Sequence, residues 1–372
     1  MNLNVSLRKN SDIDRAEPPT PPTEFARTVF LGDSFTDGNT YPRLVRDSLA
    51  AANQGSMISI CAGIGGNTIA QMHARLNRDV IANNPTLVMV SSGGNDCHQD
   101  VDAVGFGRDF EEIARILRVR DIAVILMTTS IEGPSHADKR PRLAEYDACI
   151  TKIAASHGLR VAEVNKAQNA AEAQGIPQLC ADDVHPNYEG QRSVARAVLD
   201  AMGYGDVPVV PSAQVRLNEG VVPAWYICPP SAGKEAMSAS EISALKLDAT
   251  WPVLRLPQPP LHLEREQLPA MKWLDDVRAE GAAVGLNQSL GSGPHYLAAT
   301  LSAEKAAALQ FHTGCELQSL WLNGRKIYTN DGTRGFHPGR ESVTGTVVAG
   351  ANFLVAEAGD TFYLSITDGP FW

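Results

Sequence analysis

No apolar run in this 372-residue sequence approaches the length of a membrane-spanning helix. Nor is there an excess of basic charge. Lys and Arg number 32 against 42 Asp and Glu, a net charge of −10, so neither nucleic acid nor an anionic membrane surface is expected as the main partner. The six cysteines, Cys61, Cys97, Cys149, Cys180, Cys228 and Cys315, form no C-x-x-C pair and have no His-rich companion at zinc spacing. A disulfide frame or structural metal is therefore not expected, and the cysteines read as buried thiols in a reducing compartment. The opening residues Met1 to Lys9 lack the apolar stretch of a secretory signal, which makes cytoplasm the expected location. No internal repeat is evident.

What is present is an ordinary globular composition, 44% hydrophobic and 20% charged. The length divided by a typical domain gives about 2.5, favouring two domains. Residues 1–24 are polar and end in the Pro-rich run Glu17–Glu24, of extended polyproline character. From Thr28 to about Gly203, short β-prone runs alternate with amphipathic stretches. The runs are Thr28–Leu31, Met57–Cys61, Leu87–Val90, Ile122–Met127 and Leu159–Val164, with helices expected near 41–52, 68–82, 106–119, 143–157 and 188–202. Short buried strands separated by helices predict a parallel sheet covered on both faces. In such sheets ligands bind beyond the carboxyl ends of the strands.

The unusual polar residues fall at those ends. Gly32-Asp33-Ser34-Phe35 follows the first run, where a serine at a strand-to-helix junction faces the crevice; Asp and Ser also cap helices for purely structural reasons. Gly63-Ile64-Gly65-Gly66-Asn67-Thr68 follows the second. It allows close backbone approach but is no dinucleotide fingerprint, because Thr68 stands where the last glycine belongs. Read plainly, it is a tight turn with Asn67 capping the next helix. Gly93-Gly94-Asn95-Asp96 follows the third run and offers a side-chain amide to a developing oxyanion, a contribution of about 3 kcal/mol in such sites. In Asp182-Asp183-Val184-His185-Pro186-Asn187 the carboxylate of Asp182 can orient the His185 imidazole, and Pro186 suits a first helical turn.

Each fragment has an ordinary structural reading, but their order and placement together resemble the SGNH, or GDSL-type, hydrolase superfamily. The four blocks of that family are matched by Gly32-Asp33-Ser34, by Gly66 in its glycine turn, by Gly93-Gly94-Asn95-Asp96 and by Asp182 to Pro186. The resemblance implies a three-layer α/β/α fold with a five-stranded, flavodoxin-like parallel sheet, and serine ester hydrolysis without metal or other cofactor. It also implies Ser34 as nucleophile, His185 as general base and then acid, and Asp182 as its orienter. The oxyanion donors would be the Ser34 N–H, the Gly66 N–H and the Asn95 side chain. Asp33 and Asp96 are expected to hold loops, and Phe35 replaces the aliphatic residue usual after the serine.

Beyond Gly203 the pattern changes. Prolines at 208, 211, 223, 229 and 230 and the cluster Pro257–Pro260 mark a connecting region over about 204–265. The Asn323-Gly324 turn between β-prone runs signals a hairpin within 317–329, with further strands at 342–348, 352–357 and 361–366. The expected organisation is a tail (1–26), a catalytic domain (27–203) and an all-β sandwich domain (204–372). The hairpin resembles those of jelly-roll accessory domains on carbohydrate-active enzymes. Trp321 fits a core position better than a sugar platform, and His337 reads as a turn histidine. By fold-level analogy, the combination suggests removal of acetyl or other short acyl groups from a small-molecule or oligosaccharide ester. Acyl transfer by the same residues, lipase or thioesterase chemistry, and a non-enzymatic saccharide-binding role are the alternatives. Oligomeric state, including a homo-oligomer, is left open.

Overall fold

Val29, Phe30 and Leu31 are fully buried, as an inner strand covered on both faces requires. They belong to β1 (Arg27–Gly32), which pairs in parallel with β2 (Ile58–Gly63) and β3 (Leu87–Val90). The sheet continues through β4 (Ala123–Met127) and β5 (Arg160–Ala162), giving the order β2-β1-β3-β4-β5. The protein is seen here in a computed structural model that describes residues 23–213, 217–229, 236–256 and 273–371. The tail through residue 22, Pro230 and the Pro257–Pro260 cluster lie outside the described residues.

Chain contacts divide the described residues into two compact units, 23–213 and, from 217 onward, the remainder to 371 except Trp273. In the first, the helices are α1 (Ser34–Asp37), α2 (Thr40–Ala51), α3 (Ile69–Ala74), α4 (Leu76–Asp79), α5 (Gly94–His98), α6 (Ala103–Arg118), α7 (Arg140–His157), α8 (Val164–Glu172) and α9 (Tyr188–Ala201). Phe30, Met89, Ile125 and Met127 meet apolar residues of α2 and α9 in one core. The alternate residues Val29, Leu31, Val88, Val90, Val124 and Leu126 are equally buried and face the other way. There α6 and α7 pack on the sheet and on each other, with Phe106 stacked on Tyr146 at 4.0 Å. This is the three-layer α/β/α arrangement expected. Val207, Val209 and Val210 also pack in the α2/α9 core.

Three local expectations are corrected. The helix expected over 68–82 is interrupted at Arg75 and resumes as α4, followed by a 3-10 turn at Ile81–Asn83. Its cap is Thr68 rather than Asn67: the Thr68 hydroxyl and the Gln71 side chain form a reciprocal capping box, while Asn67 accepts from Arg75. Pro186 precedes the first helical turn, because Asn187 caps α9 through the Gly190 N–H. Helix α8 was not anticipated.

The second unit is an antiparallel β-sandwich. Its strands among the described residues are β6 (Ala224–Ile227), β7 (Val253–Arg255), β8 (Ala283–Val284), β9 (His295–Ala303), β10 (Ala307–Leu322), β11 (Arg325–Thr329), β12 (Glu341–Val347) and β13 (Gly350–Thr367). Asn323 and Gly324, both at positive φ, make the β10–β11 turn. Residues 352–357 and 361–366, expected as two strands, belong to the single strand β13. Where its register against β10 slips, the Glu316 carboxylate accepts the N–H groups of Asp360 and Thr361, replacing the lost ladder bonds. Trp321 is 3% exposed and packs with Tyr226, Tyr296 and Val355, so it is a core residue.

Candidate active site

The site sits where the sheet order reverses. Strand β2 lies on one side of β1 and β3 on the other, and the crevice beyond their carboxyl ends is the natural ligand site of such a sheet. Asp33 directly follows β1 and caps α1, its Oδ1 accepting the Phe35 N–H at 3.0 Å. Ser34 is consequently the first residue of a one-turn helix. Its Oγ lies 2.9 Å from Nε2 of His185, 151 positions further along the chain.

His185 is carried by a tied loop. The Cys180 N–H donates to the His185 carbonyl at 2.8 Å, and the Asn187 N–H to the Gln178 carbonyl at 2.9 Å. The His185 Nδ1 lies 2.7 Å from Asp182 Oδ2, while Asp182 Oδ1 accepts the backbone N–H groups of Val184 and His185 at 3.0 and 2.9 Å. A carboxylate against Nδ1 keeps the proton there and leaves Nε2 as an acceptor for the serine hydroxyl. The Phe35 ring meets the imidazole edge-on at 5.5 Å, giving the unusual Phe a definite place as a wall beside His185.

The donor side is assembled from the next two strand ends. Gly66 adopts φ +80, a backbone conformation that favours glycine. Among the described residues the N–H groups of Ser34 and Gly66 meet no protein acceptor, leaving both available to a ligand oxygen. The Asn95 amide nitrogen lies 3.2 Å from the Asn67 carbonyl and 3.4 Å from Asp33 Oδ2, which holds the side chain over the same crevice. Asp96 is fully buried and fastens two loops, accepting from the Ile69 N–H and the Ser92 hydroxyl.

The structure also brings in residues that sequence reasoning missed. Buried Arg75 donates to the Gly32 and Ala62 carbonyls, each at 2.8 Å, and to Asn67 Oδ1 at 2.8 Å. One guanidinium thus ties the ends of β1 and β2 to the glycine turn. Asp37 Oδ2 accepts the Gly65 N–H at 3.1 Å. An Arg or Asp inside a helical stretch carries no spacing signal for such a role. Gly63 is required for a different reason: a Cβ there would overlap the Asp37 backbone nitrogen.

Electrostatics separates the two aspartates nearest the site. Burial, with a smaller contribution from the charge of Asp96, pushes Asp33 up to about 6. For Asp182 burial acts in the same direction, but the Val184 and His185 N–H groups and the imidazole outweigh it and hold the carboxyl below its ordinary value. Asp182 is therefore the ionised partner at neutral pH. The arrangement can move a proton from a serine hydroxyl to an imidazole beside two unengaged backbone N–H groups, those of Ser34 and Gly66.

Residues 30–193 match the model of the GDSL-like Lipase/Acylhydrolase family. Over 206 residues, 48% of this chain and 94% of the relative, the sequence is 28% identical to an acetylxylan esterase of Geobacillus stearothermophilus. A crystal structure of an acetylxylan esterase from that organism is 25% identical, covering 48% of this chain and 94% of the other with a TM-score of 0.44. An alpha/beta hydrolase enzyme from the metagenome of Lake Arreo, Spain, is 24% identical, covering 50% of this chain and 99% of the other with a TM-score of 0.45.

Proposed function

We propose, from the premise that residues 30–193 are an ester-hydrolysing domain of the GDSL-like lipase/acylhydrolase family, that the protein cleaves short acyl esters of a carbohydrate through a covalent acyl-enzyme. The Ser34–His185–Asp182 relay of hydrogen bonds carries this reading. A serine hydroxyl is a weak nucleophile at neutral pH, so the imidazole takes its proton as the bond to the ester carbon forms. Negative charge moves onto the carbonyl oxygen, where the Ser34 and Gly66 N–H groups receive it without reorganising. The Asn95 amide adds a third hydrogen by releasing one of its two present acceptors, the Asn67 carbonyl or Asp33 Oδ2. The tetrahedral intermediate collapses, the C–O bond to the alcohol breaks, and the alcohol leaves with the proton held on His185. Water, deprotonated by the same imidazole, then attacks the acyl-serine and releases the acid. Asp182 stays ionised throughout and offsets the imidazolium charge.

Two observations support a sugar acetyl or similar short acyl ester as substrate: the named activity of the 28% identical relative and the β-sandwich unit that follows the hydrolase domain. The test compares wild type with Ser34→Ala on p-nitrophenyl acetate and on a peracetylated sugar. Wild type is expected to turn over both, and Ser34→Ala to lose about 10⁴-fold or more in kcat. Undiminished turnover by Ser34→Ala would reject the nucleophile. Turnover of the aryl ester without the sugar ester would reject the substrate class.

A further inference from the structure

One polar cluster in the α/β unit takes no part in this chemistry. His98 ends α5, and Glu132 and His136 lie on the segment between β4 and α7, His136 closing a short 3-10 turn. Their potential ligand atoms all lie within 4.8 Å of one another. The His98 Nε2 is 2.9 Å from Glu132 Oε1, and the His98 and His136 rings meet edge-on at 5.1 Å. The Glu132 side chain is only 3% exposed, and its second oxygen, Oε2, is buried without a hydrogen-bond partner among the described residues. A buried carboxylate oxygen left bare is costly and calls for a cation or donor. The neighbouring cations do not supply it: Arg140 Nε donates to the Glu132 main-chain carbonyl, and Lys139 pairs with Asp100.

We propose that His98, Glu132 and His136 form a binding site for a divalent transition-metal cation of the zinc class, with the remaining coordination position open to water. Two imidazoles and one carboxylate are a zinc donor set, whereas Mg²⁺ and Ca²⁺ favour all-oxygen ligands. Tetrahedral bonds of about 2.1 Å place ligand atoms about 3.4 Å apart, within the span these groups already occupy. The site connects to the catalytic loop. The Gly133 N–H donates to the Asp183 carbonyl, and the Ser135 N–H and hydroxyl donate to Asp183 Oδ2. A bound ion thus fastens the segment that clasps the residue between Asp182 and Val184. Sequence reading passed over the cluster because His98 stands 34 residues before Glu132, a separation with no motif signal.

The test titrates the metal-stripped full chain with Co²⁺ and then Zn²⁺, following visible d–d absorption, isothermal heat and melting temperature. The expected result is one equivalent bound per chain, a cobalt spectrum of low coordination number displaced by zinc, and a melting temperature that rises with metal concentration. His98→Ala and His136→Ala, both at partly exposed positions, and the near-isosteric Glu132→Gln should each weaken binding by more than about 100-fold, beyond the usual cost of losing an outer-sphere partner. His73→Ala, at the pair with Asp109 and not one of the three clustered groups, should bind normally. Ser34→Ala should also bind normally, so the metal site and the esterase reading stand or fall separately. Absence of saturable one-equivalent binding, or full affinity in either His98→Ala or His136→Ala, would overturn the proposal.

Discussion

Replacing Asp182 by Asn changes one atom and sets two demands of the loop against each other. Asp182 now accepts three hydrogens, two from the Val184 and His185 backbones through Oδ1 and one from imidazole Nδ1 through Oδ2. An Asn that keeps the backbone bonds turns its NH₂ toward Nδ1. The imidazole must then accept there and carry its proton on Nε2, pointing a hydrogen at Ser34 where a base is required. An Asn flipped the other way leaves both backbone N–H groups facing a donor. Either way the serine loses its base and the imidazolium its counter-charge. The expected loss in kcat is about 10³–10⁴-fold, equivalent to about 4–5 kcal/mol of transition-state stabilisation. Stability should respond far less. Asp182 holds its proton less tightly in the fold than in the unfolded chain, so its contribution is present above the ordinary aspartate range and is lost as pH falls through the depressed folded value. With 45% of the side chain exposed, that contribution is discounted to under about 1 kcal/mol. The assay is kcat and KM on p-nitrophenyl acetate across pH, with urea unfolding in parallel. An Asp182→Asn enzyme within about tenfold of wild type, with an unchanged pH profile, would refute the tautomer argument.

Asn95→Ala removes one oxyanion donor and should lower kcat about 10²–10³-fold with KM little changed; a purely KM effect in steady-state kinetics would place Asn95 in ground-state binding instead. Asp33, fully buried and raised to about 6, binds its proton more tightly folded than unfolded. Its contribution is therefore complete below the unfolded value of 3.8 and is lost as pH rises toward 6, by about 3 kcal/mol. Comparing wild type with Asp33→Asn by urea unfolding at acid and neutral pH should show that difference, and parallel curves would contradict it. Gly63→Ala drives a Cβ into the Asp37 backbone, so α1 must shift and stability should fall by about 1–3 kcal/mol. A melting temperature equal to wild type would show that the contact relaxes without cost.

The parallel sheet was legible because inner strands such as Leu87–Val90 are continuous apolar runs, and the crevice rule then directed attention to the residues after β1, β2 and β3. Ser34, Asp182 and His185 could be named from sequence, and the structure brings their side chains within hydrogen-bond distance. Arg75 could not, because its role is to join carbonyls of two strands through one buried guanidinium, a contact with no local pattern. In the second unit the Asn323-Gly324 turn announced its hairpin. The continuity of β13 did not show, since Gly359 looks like a turn until Glu316 supplies the missing hydrogen bonds across the slip. The short strands β6 and β7 lie in a proline-interrupted stretch where period-two alternation is too brief to register.

If Ser34 becomes covalently bonded during turnover, a fluorophosphonate, which phosphonylates only an activated hydroxyl, captures it there. Peptide mass spectrometry of the treated wild-type chain should find one adduct per chain on Ser34, absent after His185→Ala substitution. An unlabelled chain that still hydrolyses esters, or an adduct carried by a different residue, would contradict the account.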